Sequence, residues 1–295
     1  MRVSDASRFE ANQTAIQNSL ARLNGAQRAI STGKRIMLPS DSPLDAAFAT
    51  RLRSQKDDSD RHLRSIGDAK AWLSVQDSAL QSSSSLLARV KELSVQAVNA
   101  SLGPEGRDAI ATELDGIRNQ LGLLANTTYQ GQSVFGGFST QAVDLTDTSA
   151  TFNGTPGARV ERRVSDNQVI AVNTDGNTAF GFDTGDDVFS VIARLSSNIR
   201  ADDATAIAAD SATLDERATG LRDALGVIGT RAQLVDSTAS RHEDDKVTIG
   251  SRLSEIEDTD MTEAAVNLAQ ASQAYESILA MIAKTQQTSL LNFLH

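Results

Sequence analysis

The sequence predicts a mainly α protein: a long antiparallel helical rod or coiled coil, with paired N- and C-terminal helices and a small β-rich insert. Three observations predict it. Apolar residues recur at every seventh position at both ends and in the middle of the 295-residue chain, the spacing of helices that pack lengthwise. Only four prolines occur, and none lies between Gly157 and His295, so nothing there forces a helix to stop. Seven of the twelve aromatic residues fall between Tyr129 and Phe189, in a stretch dense in Gly, Asn, Asp and Thr.

Each element follows from local pattern. Phe9, Ile16, Leu23 and Ile30 are seven apart, with Leu20 beside them, and define a first helix. Gly33 supplies its C-cap, with cationic residues following. Pro39 and Pro43 cannot sit inside a helix, whereas Asp41 or Ser42 followed by Pro43 makes a good helix start. Gly33, Pro39 and Pro43 therefore mark a joint between two helical segments. A long helix runs from about Leu44 to Ala100, with Ile66, Leu73, Leu80 and Leu87 seven apart and Val90 and Ala97 continuing the apolar side. "SLGPEG" (101–106) is a turn. Ile110, Leu114, Ile117, Leu121 and Leu124 then alternate spacings of four and three, a second amphipathic helix. The short connection makes the two helices antiparallel neighbours.

From about Tyr129 the period changes. "VERRVSDNQVIAV" alternates like a strand, and "TDGN" and "DTGDD" read as turns. Helical pattern returns near Val188. Leu214, Leu221, Ile228 and Val235 are seven apart, Ile249 and Ile256 extend that register past His242, and Leu225, Ala232 and Ala239 form a second seam. Met261, Leu268, Tyr275 and Ile282 close the chain at the same spacing, with Ala264, Ala271 and Ile278 beside them. The expected organisation is a terminal helical domain from 1–40 and 258–295, a rod from 41–135 and 190–257, and a β-rich insert over 136–189. The terminal stripes have no partner nearby in sequence. They must pair with each other or with another chain.

Composition narrows the function. A net charge of −10 argues against general nucleic-acid binding, which needs a basic surface. The charge is uneven: residues 1–56 carry nine bases and four acids, net +5, leaving −15 for the remainder. That pattern suits either two solvated faces or contact between segments of opposite sign. With no cysteine, disulfides, thiolate metal sites and cysteine catalysis are excluded. No stretch approaches the ~20 apolar residues of a membrane span, and "MRVSDASRFEANQTAIQ" lacks the apolar core of a secretory signal peptide.

No active site assembles. His62 follows "DDSDR" and is placed on a solvated helix face; His242, at an apolar heptad position, reads as a packing residue; His295 ends the chain. The Asp-Thr-Gly in "FDTGDD" (182–187) has no second copy to share a proton. Gly-x-Ser-x-Gly and phosphate-loop patterns are missing. Asn12, Asn99, Asn126 and Asn153 begin glycosylation-type triplets and are read as chance matches. The expectation is a protein that is not an enzyme and holds no metal or cofactor.

The order of segments resembles the bacterial flagellin family. "LARVKELSVQAVNAS" (87–101) and "IATELDGIRNQLGLLANTTYQGQSVFGG" (110–137) resemble its rod segment, and "DMTEAAVNLAQASQAYESILAMIAKTQQTSLLNFL" resembles its terminal helix. Within the family, "MRVS", "GKRIMLPSDSPLDAA", "RLRSQ" and "AWLSVQDSALQ" look like the hook-filament junction branch. The resemblance implies an inner tube layer built from the terminal helices, an outer rod, and a joint over about 34–45. It implies coaxial assembly into a ring or helical oligomer through Phe9, Ile16, Leu23, Ile30, Met261, Leu268, Tyr275 and Ile282. The implied partners are copies of itself, hook-associated protein 1, flagellin and a cytoplasmic export chaperone gripping Leu268, Tyr275, Leu279 and Ile282. The implied location is the extracellular flagellum, reached by type III export without a cleaved signal peptide or membrane insertion. The alternative is flagellin itself. The resemblance also implies that Arg89, Glu92, Leu93 and Glu113 match a rod patch seen by an animal innate receptor.

Overall fold

The computed structural model describes the main chain of residues 5–99 and 103–293 and the side chains of 10–98 and 103–284. It is mainly α. Helices α1 (Asp5–Thr32), α2 (Pro43–Asn99) and α3 (Pro104–Ala125) come first. Strands β1 (Thr128–Tyr129), β2 (Gln132–Ser133), β3 (Val143–Leu145), β4 (Ala150–Phe152), β5 (Glu161–Ser165) and β6 (Gln168–Ala171) follow. Then come α4 (Gly176–Ala179), a 3-10 turn at Phe182–Thr184, α5 (Val188–Arg200), α6 (Ala204–Glu257) and α7 (Met261–Phe293). The strands form three separate antiparallel hairpins, β1–β2, β3–β4 and β5–β6.

The helix ends follow the punctuation in the sequence. Gly33 has φ +68, the left-handed conformation that closes α1, and its N–H returns to the Ala29 carbonyl. α2 starts at Pro43, and α3 has Pro104 at its first turn after Gly103. Residues 101 and 102 of the "SLGPEG" turn lie outside the described residues. One boundary escaped the periodicity: α5 and α6 are separated by Ala201–Asp203, with Asp202 at φ 60 and the Asp203 carboxylate capping Thr205 and Ala206.

The contacts divide the chain into two units: Met1–Asp58 with Asp245–His295, and Ser59–Asp244. Helices α2 and α6 contribute to both. The second unit holds one continuous apolar core. The heptad residues Ile66, Leu73, Leu80 and Leu87 of α2 and Leu214, Leu221, Ile228 and Val235 of α6 are all buried in it. Lys70 bonds Asp236 at 2.7 Å and Lys91 bonds Asp215 at 2.5 Å; the rising and falling numbers make α2 and α6 antiparallel. The β-rich stretch does not build a core of its own. Val134, Phe135, Val143, Val164, Ile170 and Val172 belong to the same cluster as the helix seams. Its aromatics meet in series, Phe135 edge-on to Phe180, then Phe180 with Phe189, Phe189 with Phe182 and Phe182 with Phe152 at tilted angles, with centroids 5.4–5.8 Å apart.

Two polar devices hold the hairpins. Asp68 on α2 accepts from Arg162 Nε (2.6 Å), Tyr129 Oη (3.1 Å) and Gln130 Nε2 (3.2 Å), beside the buried Trp72, over which Arg162 lies at 5.6 Å. On α3 the guanidinium of Arg118, 5% exposed, donates to the carbonyls of Phe189, Thr146, Ser149 and Asp147. It thereby fixes the β3–β4 turn and the start of α5 to one helix.

Candidate assembly interface

The first unit contains the joint and the terminal helix pair. Its geometry begins with Gly33. The turn after α1 runs against the end of α6 as a two-strand-like clip. Arg35 N–H donates to the Glu257 carbonyl at 2.6 Å, Thr259 N–H to the Gly33 carbonyl at 3.0 Å, and Arg35 Nη2 to the Ile256 carbonyl at 2.9 Å. Charge reinforces the clip. Lys34 Nζ lies 3.0 Å from Glu257 Oε2 and 2.9 Å from Asp258 Oδ1, and Arg53 Nη2 lies 2.6 Å from Glu257 Oε1. The Arg53 contact is ionic in distance but makes no aligned hydrogen bond, since Glu257 Oε1 accepts none. Glu257 is a carboxylate with a 3% exposed side chain held between two cations, the arrangement that burial of a charge requires.

The remaining joint residues are set by Asp41. Its carboxylate accepts the N–H groups of Met37 (3.0 Å) and Leu38 (2.8 Å), and Asp41 N–H returns to the Leu38 carbonyl. Pro39 and Pro43 are both exposed; Pro39 lies in this Asx-locked turn and Pro43 opens α2. Ile36, 8% exposed, is the apolar anchor of the segment. Asp260 then starts α7 by accepting Thr262 N–H at 2.7 Å.

Several of these groups are tuned. The Leu38 and Met37 amides hold the Asp41 carboxyl below the usual 3.8. The Ser254 hydroxyl, then Lys34, does so for Asp258, and the Thr262 and Glu263 amides for Asp260. Asp258, then Glu257, raises Lys34 above 10.5. A lowered carboxyl stabilises the fold above its ordinary value and loses that as pH falls through the folded value. A raised amine stabilises below its ordinary value and loses that as pH rises through the folded value. The joint should thus be tightest between about pH 4 and pH 10. Hydrogen exchange of Arg35 and Thr259, corrected for intrinsic rates, is expected to accelerate outside that window, and Lys34→Gln should remove the alkaline limb.

The clip brings the end of α1 to the start of α7, so the two helices pack antiparallel. Their contact is shallow. Ile16, Leu23 and Ile30 on α1 and Leu268, Tyr275 and Ile282 on α7 are only half-buried. Ser19 and Ala264, each 4% exposed, are the buried contacts among the described residues of these two helices. Met261 is 53% exposed and Leu279 41%. The Phe9 side chain lies outside the described residues. An open groove of about 650 Å³ runs between the helices past Arg22, Gly25, Ala29, Glu263, Asn267 and Ala271. Leu20 (40%) and Val266 (52%) are further apolar side chains left to solvent on this pair.

Two readings change with the structure. His62 is not on a solvated face: its side chain is 13% exposed, its ring stacks on His242 with centroids 5.2 Å apart, and its Nε2 bonds Asp166 at 3.1 Å. Helices α2 and α6 bring together two histidines 180 residues apart, which no local pattern reveals. His242 donates from Nε2 to the Val164 carbonyl at 2.9 Å. Leu93 is buried at 1%, so it offers nothing to a receptor; Arg89 is bound to Glu92 and Glu113 at 3.1 and 2.8 Å. His295 lies outside the described residues. The pairing of the joint cations Lys34 and Arg53 with Glu257 was also invisible in sequence, because Lys34 and Glu257 are 223 residues apart. Among the described residues no group of three His, Asp or Glu side chains is placed to hold a metal, and no helix is long and apolar enough to cross a membrane.

A helical region at each end of the chain matches a known family. Residues 3–140 match the bacterial flagellin N-terminal helical region and residues 211–294 the bacterial flagellin C-terminal helical region. The chain belongs to the bacterial flagellin family. In this flagellin-family chain, the joint, both terminal helices and most of the rod fall inside the matched regions, and the stretch 141–210 falls outside them. It is 28% identical over 256 residues to flagellar hook-associated protein 3 of Escherichia coli, covering 79% of each chain. It is 32% identical over 155 residues to flagellar hook-associated protein 3 of Salmonella typhimurium, covering 52% of this chain; the match spans about half (49%) of the Salmonella protein. Flagellar hook associated protein-3 of Legionella pneumophila shares the fold, with a TM-score of 0.62 at 15% identity over 70% of this chain and 98% of that one.

Proposed function

We propose that this chain is a structural adapter of the bacterial flagellum, joining the hook to the flagellin filament as a ring of identical subunits. The similarity to hook-associated protein 3 over 79% of the Escherichia coli protein carries this reading. The terminal pair supports it physically. Two helices of 28 and 33 residues that bury so little between them leave apolar surface for neighbours, and most helical stability comes from tertiary packing. In the proposed assembly α1 and α7 form the inner tube, and the Gly33–Asp41 joint sets the direction in which α2 leaves it. One side of the ring meets hook-associated protein 1 and the other the first layer of flagellin. An export chaperone covers the α7 face containing Leu268, Tyr275, Leu279 and Ile282 before passage through the type III channel.

The second reading, a filament-forming flagellin, makes a different prediction. Immuno-electron microscopy should place label against this chain only at the hook-filament boundary, and the purified protein should not elongate filaments from detached hooks. Label along the whole filament, or unaided elongation, would establish the flagellin reading instead.

A further inference from the structure

Of the four asparagines that open glycosylation-type triplets, the structure separates Asn153 from Asn126. Asn126 is fully engaged: its Nδ2 donates to the Val143 carbonyl and its Oδ1 accepts the Ala142 and Val143 amides. Asn153 is exposed, just beyond β4. Its main-chain N–H donates to Ala142, but its side chain has no hydrogen-bond partner among the described residues. The next residue is Gly154, whose N–H also finds no acceptor there. That position cannot carry a larger residue. A Cβ on Gly154 would lie 2.9 Å from Gly136 Cα and closer still to the Phe152 ring. The close approach of β4 to the Gly136 turn therefore fixes an Asn-Gly pair in an exposed loop. Such a pair combines an electrophilic amide with an unpaired main-chain nitrogen one residue on.

We propose that Asn153 is a site of spontaneous deamidation through a succinimide. The Gly154 nitrogen attacks the Asn153 side-chain carbonyl carbon and loses its proton, and the side-chain amide nitrogen leaves as ammonia, closing a five-membered imide. Water then adds to either imide carbonyl. One opening gives aspartate at 153, and the other gives isoaspartate with an extra methylene in the main chain. The net change is amide plus water to carboxylate plus ammonium, and no other reactant is needed. The isoaspartyl product lengthens the backbone between two anchored points, the Asn153–Ala142 bond and the 3.3 Å bond from Thr155 N–H to the Gly136 carbonyl. It also adds negative charge to an acidic protein. The chain's other Asn-Gly pair, Asn24-Gly25, lies inside α1, where the helical backbone holds the amide nitrogen away from the attack geometry that a cyclisation needs.

The test is timed incubation of the full-length protein at mildly alkaline pH, folded and in urea, followed by peptide mapping and enzymatic methylation of isoaspartate. Urea gives the rate set by sequence alone. Folded protein should accumulate isoaspartate in the peptide containing residue 153 at a rate within about tenfold of that reference, since no hydrogen bond of the Gly154 N–H or the Asn153 side chain has to be broken first. Asn153→Gln should abolish it, because glutamine closes a larger ring far more slowly, and should leave the melting temperature unchanged. Protection of Asn153 in the folded protein by about a hundredfold or more would overturn the proposal, showing that packing of Gly154 prevents the attack.

Discussion

Leu221→Glu is expected to lower the melting temperature sharply, whereas Leu268→Glu leaves the melting curve nearly unchanged and disrupts the flagellum. Both leucines occupy heptad seams in long helices. Leu221 is 2% exposed within the core shared by α2, α3, α6 and the hairpins. Losing a buried leucine costs about 2–5 kcal/mol, and an unpaired carboxyl in its place adds to this. At about 2–4 °C per kcal/mol for a unit of this size, the drop should be about 10 °C or more. Leu268 is half-buried in the shallow α1–α7 contact, so a glutamate there can turn its carboxylate to water. In the proposed assembly its cost arises when neighbouring subunits cover the face, and it repeats for every copy in the ring. Cells carrying Leu268→Glu should build hooks yet shed flagellin into the medium. If Leu268→Glu melts the free protein as much as Leu221→Glu, the terminal pair is a folding core rather than an assembly surface.

Arg118→Leu is expected to be nearly as damaging, although nothing in its sequence context distinguishes Arg118. Four carbonyls lose one donor each, Phe189 at 2.9 Å, Thr146 at 2.7 Å, Ser149 at 2.8 Å and Asp147 at 3.4 Å, although Ser149 keeps the amide and hydroxyl of Thr146. A buried acceptor left unpaired costs about 1–3 kcal/mol. Only the Phe189 bond is fully buried, and the neighbouring open groove past Asn119 and Asn198 lets water reach the others. A total of about 3–4 kcal/mol, or about 10 °C, is therefore the expected loss. Lysine at 118 should recover little, since it keeps the charge but not the planar fork that reaches both the β3–β4 turn and α5. Arg200→Ala is the comparison. That side chain is 41% exposed and paired to Asp108 and Asp115, where a bridge is worth about 0–1 kcal/mol. Calorimetry of the three variants, with hydrogen exchange of the β3–β4 hairpin, checks the ordering.

Much of the fold was legible because helices announce themselves locally. Seven-residue spacing located α1, α2, α6 and α7, and alternating three and four located α3. Gly33 and Pro43 fall where α1 closes and α2 opens, since each acts through its own φ. The candidate site was less legible. Gly33, Pro39 and Pro43 mark where the chain turns, but the grip that holds the turn is Lys34 and Arg53 on Glu257, and that pairing exists only after α6 returns.

By itself the sequence determined a long-helix protein with a turn-rich, aromatic insert, lacking cysteine and any membrane-length apolar run. Those properties depend on residues within a few turns of one another, where hydrogen bonding and side-chain period act directly. The tertiary structure alone decided the rest. It stacked His62 on His242, and it buried Glu257 between two cations. It aimed Arg118 at four carbonyls, joined the insert to the rod in one core, and left Asn153 free while tying down Asn126. Each of these results from burial and pairing between residues far apart in the chain. A side chain's surroundings there are set by which helix folds back beside it, and neighbouring residues in the sequence carry no record of that.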